Sequence, residues 1–263
     1  LMGKIAHWPL YIFLALLGIT LIIGWVRASV GALPVAESAG YAIVPELDSN
    51  ATEGVALMLL LARSFSGGAV AFSGVSTISN SVRYFRPPKK YNAALTMMMM
   101  GIITSVLLVG LLSLAYLTHV HMVHDTTQFL FIDGRAPGEY FHQKPALYQV
   151  ALAVYRDTPI YAQLLVFATV GVLIIASITA FTGFPMIASS LADYQYLPVF
   201  FRSVDSRGLY TNAVLTLAGF STMLTVLFGS DVYSLIQLYI VGMCISMAMV
   251  QLAVVRYRIR LLR

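Results

Sequence analysis

Charged side chains make up only 10% of this sequence, against about 25% in soluble domains. That scarcity excludes an ordinary water-soluble globular domain. Cysteine is nearly absent. Cys244 stands alone, so no internal disulfide can form, and its place in an apolar run suits packing. There is no nucleophile elbow, phosphate-binding glycine loop or HExxH zinc motif, so an enzyme reading has no residue to stand on. The net charge of +5 collects at the ends of apolar runs instead of forming a stripe, and no nucleic-acid partner is implied. His119, His121, His124 and His142 share one polar segment with Asp125. Their spacing matches no closed zinc pattern, and neither a metal nor another cofactor is expected.

What is present is apolar. Hydrophobic residues are 59% of the chain and the mean hydropathy is +0.83. Runs of about 20 apolar residues recur, the length a membrane helix needs, without the ten-residue alternation of an outer-membrane barrel. The expected fold class is an all-α integral membrane protein. Six spans are predicted, over 8–26, 55–84, 93–117, 160–187, 209–228 and 232–255, with a polar outer loop at 118–157. Pro9 suits a first helical turn, and Pro87-Pro88 cannot continue a helix. Leu147, Val150 and Val154 sit at helical spacing, which predicts a short helix over the outer face. Pro185 is expected to kink or end the fourth span, and 189–207 to form a short surface helix and turn. Asp193 is expected to be solvated at the interface. The four methionines at 97–100 suit packing.

Charge gives the direction. Put the start of the first span in the cytoplasm. Lys4, Arg83, Arg86, Lys89, Lys90, Arg202, Arg207, Arg256, Arg258, Arg260 and Arg263 then lie at inner ends. Only Arg27, Arg135, Lys144 and Arg156 lie outside, and the opposite orientation would reverse the bias that cytoplasmic loops carry. Residues 85–92, 189–207 and 256–263 are therefore expected to be cytoplasmic, in a multi-pass protein of the cell membrane.

One stretch does not suit lipid. Within the second span, RSFSGGAVAFSGVSTISN (63–80) collects Gly67, Gly68 and Gly74, the hydroxyls of Ser64, Ser66, Ser73 and Ser76, and Arg63. Irregular backbone at membrane depth survives only where protein or a watery cavity covers it. A glycine-interrupted span points to a binding site, so this span is predicted to be discontinuous. The first half-helix would leave carbonyls that suit a cation or ammonium, and the second would present N–H groups that suit a carboxylate. Both ends together suit a zwitterion. The plainer alternative is that the glycines only let helices pack closely. The expected substrate-binding residues are Ser66, Gly67, Gly68, Val70, Ala71, Phe72, Ser73, Gly74 and Ser76. Arg63 is expected either to clamp the broken helix, with a carboxylate from a missing part of the protein as partner, or to serve as a gate or as a charge that compensates for a vacant site.

Those residues carry a resemblance. FSGVSTISNSVRYFRPPKKYNAALT (72–96) resembles the sixth helix and following turn of the amino acid–polyamine–organocation permease superfamily, through Gly74, Val75, Ser79, Asn80, Phe85, Asn92 and Ala93. GKIAHWPLYIF (3–13), TAFTGFPMIASSLADYQYLPVFF (179–201) and LIQLYIVGMCISMAMVQ (235–251) resemble its fifth, eighth and tenth helices. They look closest to the branch with KimA-type potassium importers. The resemblance implies helices five to ten of a LeuT-type inverted-repeat fold, in a single permease domain. The N-terminal helices of the same protein would then be missing partners. It places the unwound region at 67–73 and Ser73 beside the cation. The family's glutamate after Gly-Val is Ser76 here, so a proton-coupling role tied to that glutamate does not carry over to this position.

The function implied is a secondary active permease. It would import a small amino acid or related organic cation by alternating access, with a proton or sodium as possible coupling ion. The alternatives are KimA-like potassium uptake and a non-transporting membrane scaffold or sensor. The expected partners are a small solute, an amino acid or a monovalent cation, and the lipid bilayer.

Overall fold

The computed structural model describes residues 8–43, 54–68, 70, 74, 78, 82, 85–123, 126, 130–132, 141, 143–205, 208–229 and 231–261. It is mostly helical, as the apolar runs demand. The helices are α1 (Trp8–Ser29), α2 (Gly54–Gly68), α3 (Lys89–Leu117), α4 (Ala146–Val154), α5 (Ile160–Asp193), α6 (Thr211–Leu227) and α7 (Val232–Leu261). The strands β1 (Ala42–Ile43) and β2 (Leu130–Phe131) pair antiparallel.

Among the described residues, four helices, α1, α3, α5 and α7, are long and apolar enough to cross a membrane. α2 has 15 residues, about 22 Å at 1.5 Å each, short of the roughly 30 Å hydrocarbon core. α6 is also short, with 17 residues. α3 starts at Lys89, directly after Pro88, where a residue lacking an N–H is tolerated, and so begins before the expected Ala93. α7 has 30 residues, about 45 Å, and carries Arg256, Arg258 and Arg260 at its exposed far end. Cys244 is exposed on α7, not packed within the chain.

The chain divides into two compact units. The first comprises Leu1–Pro34 and Leu147–Asp231. Here α1 packs on α5, and α5 packs on α6 and on the 3-10 turn Val199–Arg202. Leu17, Leu21, Ala162 and Leu165 are buried, and Gly171 lets Pro9 approach within 3.4 Å of where a Cβ would stand. The Thr20 hydroxyl is buried. It donates to the Leu16 carbonyl at 2.7 Å and shares a hydrogen bond with the Tyr155 hydroxyl at 3.2 Å. α4 forms where its spacing predicted, with Val150 and Val154 fully buried.

Pro185 neither ends nor replaces its helix: α5 continues through it to Asp193. The expected surface helix within 189–207 is thus partly the end of α5, followed by the 3-10 turn. Pro185, Ala188, Ser189 and Ala192 are all buried, and the packing of that face outweighs the lost hydrogen bond. Asp193 pairs with Arg202 Nε at 3.1 Å. Asn212 Nδ2 donates to the Phe200 carbonyl at 3.2 Å and to Ser203 Oγ at 2.6 Å.

The second unit comprises Val35–Ala146 and Val232–Arg263. α2 packs against α7. At the end of α3 a polar cap is tied down. The Ala36 N–H donates to the Thr118 carbonyl at 2.8 Å, and the His121 N–H donates to the buried Ser38 Oγ at 3.0 Å. His121 Nδ1 lies 3.0 Å from the Tyr41 carbonyl. A carbonyl only accepts, so that nitrogen carries the proton. Lys144 pairs with Glu37. Burial, and then the nearby Glu37 carboxylate, push the Tyr41 hydroxyl above its ordinary 10.0, so it stays neutral and any loss of stability on its ionisation falls at more alkaline pH.

Candidate functional site

The candidate site begins at the end of α2. Arg63, Ser66, Gly67 and Gly68 all lie on this helix. Val70 is in a 3-10 turn, and Gly74 and Ile78 are α-helical again. Ala71, Phe72, Ser73 and Ser76 lie outside the described residues. The helix ends at Gly68, within the stretch expected to be unwound at about 67–73, most of which lies outside the described residues. Glycine weakens a helix by about 1 kcal/mol relative to alanine, which lowers its stability without forcing a break.

Helical geometry leaves the carbonyls of the last turn, Phe65 to Gly68, without partners inside the helix. They carry partial negative charge. A Cβ placed at Gly67 or Gly68 would meet nothing within 4 Å, so this backbone is open. Gly74 differs. A Cβ there would stand 3.0 Å from Met100 Sδ and 3.1 Å from its Cε. Glycine at this place lets the residues after α2 approach α3 closely, and it gives Met100, from the methionine run, a contact.

Arg63 is exposed and about 14 Å along α2 from Gly54, at 1.5 Å per residue. Its Nη2 donates to the Tyr233 hydroxyl at 3.0 Å. Tyr233 is in the first turn of α7, and sequence reasoning missed it. The partner expected was a carboxylate from a part of the protein outside this chain; within the chain, Arg63 meets a phenol. Among the described residues no group of His, Cys, Asp and Glu could hold a metal ion. His121 is engaged in the polar cap of the second unit, and His124 and His142 lie outside the described residues.

Two comparisons bear on this arrangement. A family model described as amino acid permease matches residues 1–261. The potassium transporter KimA of Bacillus subtilis (strain 168) is 30% identical over 249 residues, which is 95% of this chain and 37% of that protein. The chain thus spans well under half the length of the curated relative it matches. The family is one of permeases, not of enzymes, and with its long apolar helices the chain is that of a multi-pass membrane protein. Matched over nearly its whole length, this chain belongs to the amino acid permease family of the amino acid–polyamine–organocation superfamily.

Proposed function

We propose that the protein to which this chain belongs is a secondary active permease of the cytoplasmic membrane. It imports a small amino acid or related organic cation by alternating access. The observation that carries this reading is the end of α2 at Gly68, partway across a bilayer. There, open glycine backbone is followed by a 3-10 residue and renewed helix. Ser66, Gly67, Gly68, Val70, Ala71, Phe72, Ser73, Gly74 and Ser76 are the proposed substrate-binding residues, and Arg63 is the proposed gating charge. In this reading α2 and the residues after it form one discontinuous span. The chain then supplies six spans, helices five to ten of a LeuT-type fold, with the remaining helices from the same protein. The α2 carbonyls suit an ammonium group, and the N–H groups at the start of the second half-helix suit a carboxylate. Uptake of a radiolabelled amino-acid panel by cells expressing the full-length protein tests this, and a panel with no member accumulated would end it.

A second reading, potassium uptake, is supported by the 30% identity to the KimA potassium transporter. The carbonyl end of α2 with neighbouring hydroxyls also suits a bare monovalent cation. Complementation of a strain lacking potassium import separates the two: rescue without amino-acid uptake selects potassium.

A further inference from the structure

Arg63 is a permanent charge set well into α2, and a charge at such a depth requires protein or water around it. Its position on the helix matters more than its charge alone. Arg63 and Gly67 are four residues apart and share a face of α2. In an α-helix the N–H of residue 67 donates to the carbonyl of residue 63. The turn that ends in Gly67-Gly68 is therefore built on Arg63. Both glycines of that turn face open space, and glycine is the most permissive residue for backbone freedom. The Tyr233 hydroxyl accepts a hydrogen bond from Arg63 Nη2 at 3.0 Å, across the direct packing of α2 on α7. A long arginine side chain has several rotatable bonds, and a fixed acceptor on a second helix selects one of its orientations.

We infer that Tyr233 is a positioning residue for the candidate site: its hydroxyl anchors Arg63 and, through Arg63, the last turn of α2. This rests on the permease reading above. Tyr233 does not touch the solute. It sets the direction in which the α2 carbonyls point when the solute arrives, so its loss weakens binding more than it slows turnover.

The test uses the full-length protein. Tyr233→Phe keeps the ring and removes the acceptor. It raises KM for the transported solute about tenfold, as expected for losing one hydrogen bond to a charged group. Maximal rate, membrane abundance and Tm are held. Arg63→Gln gives the same rise, and the double variant gives no further rise, because the two side chains act as one unit. Arg63→Lys, which keeps a donor, recovers part of the affinity. An unchanged KM in Tyr233→Phe, additive effects in the double variant, or a fall in Tm and abundance alone would overturn the inference. A second readout needs no solute. In a Gly67→Cys background with every other cysteine of the full-length protein, Cys244 included, changed to serine, Tyr233→Phe changes the rate of labelling by a membrane-impermeant maleimide by about fivefold or more, since a looser turn opens more often. An equal rate in both backgrounds, including none in either, overturns the inference. If the parent protein accumulates no solute, the permease reading fails on uptake, while the labelling rates still decide the role of Tyr233.

Discussion

Two positions carry predictions about packing that do not depend on the substrate. Thr20 is buried and joins Leu16 and Tyr155. Thr20→Val keeps the shape and leaves the Tyr155 hydroxyl one partner short, at a cost of about 1 kcal/mol. A lower Tm in detergent is expected, and Tyr155→Phe added to Thr20→Val should lower it little further. Gly74 is the second case. A Cβ there would press on the end of the Met100 side chain, which is flexible and can turn aside. Gly74→Ala is therefore tolerated. Gly74→Val overpacks the contact by about 1–3 kcal/mol, and Met100→Ala in the same chain should restore membrane abundance. Equal losses with and without Met100→Ala would show that the contact is not the cause.

Among the helices, what could be read from the sequence was what periodicity and run length determine. α1, α3, α5 and α7 stand out as apolar runs, and α4 as the spacing of Leu147, Val150 and Val154. The end of α5 could not be read this way, because Pro185 signals a stop and only the burial of Pro185, Ala188, Ser189 and Ala192 explains why the helix goes on. Tertiary contact decided there against local preference. The site shows the same division. Arg63 and the glycines are conspicuous in an apolar run, but Tyr233 lies 170 positions away, and nothing local marks it as the hydroxyl that meets Arg63. At the end of α5, Asp193 and Arg202 are paired across the turn, with side chains 54% and 67% exposed. An ion pair so open to solvent contributes no more than about 1 kcal/mol. Asp193→Asn should leave Tm nearly unchanged, with the buried apolar face of α5 continuing to hold the turn. A large loss of Tm would mean that the ion pair, not that face, keeps the helix going past Pro185.

At the scale of the whole molecule, the family match explains why so few charges suffice. In the proposed reading, apolar helices sit in lipid, basic helix ends fix the direction, and interrupted backbone meets the solute. In that reading Lys89 and Lys90 at the start of α3, and Arg256, Arg258 and Arg260 at the end of α7, are the basic ends. The end of α2 at Gly67-Gly68 is the proposed interruption. The measurement that reaches this claim most directly is solute uptake by the full-length protein carrying Gly67→Leu. A Cβ at Gly67 meets nothing within 4 Å and leucine favours a helix more than glycine does, so abundance and Tm are expected to hold. A branched side chain over the last carbonyls of α2 should nonetheless cut uptake to about a tenth of the parent rate or less, because the backbone there is proposed to hold the solute. Uptake equal to the parent at equal abundance would contradict the account.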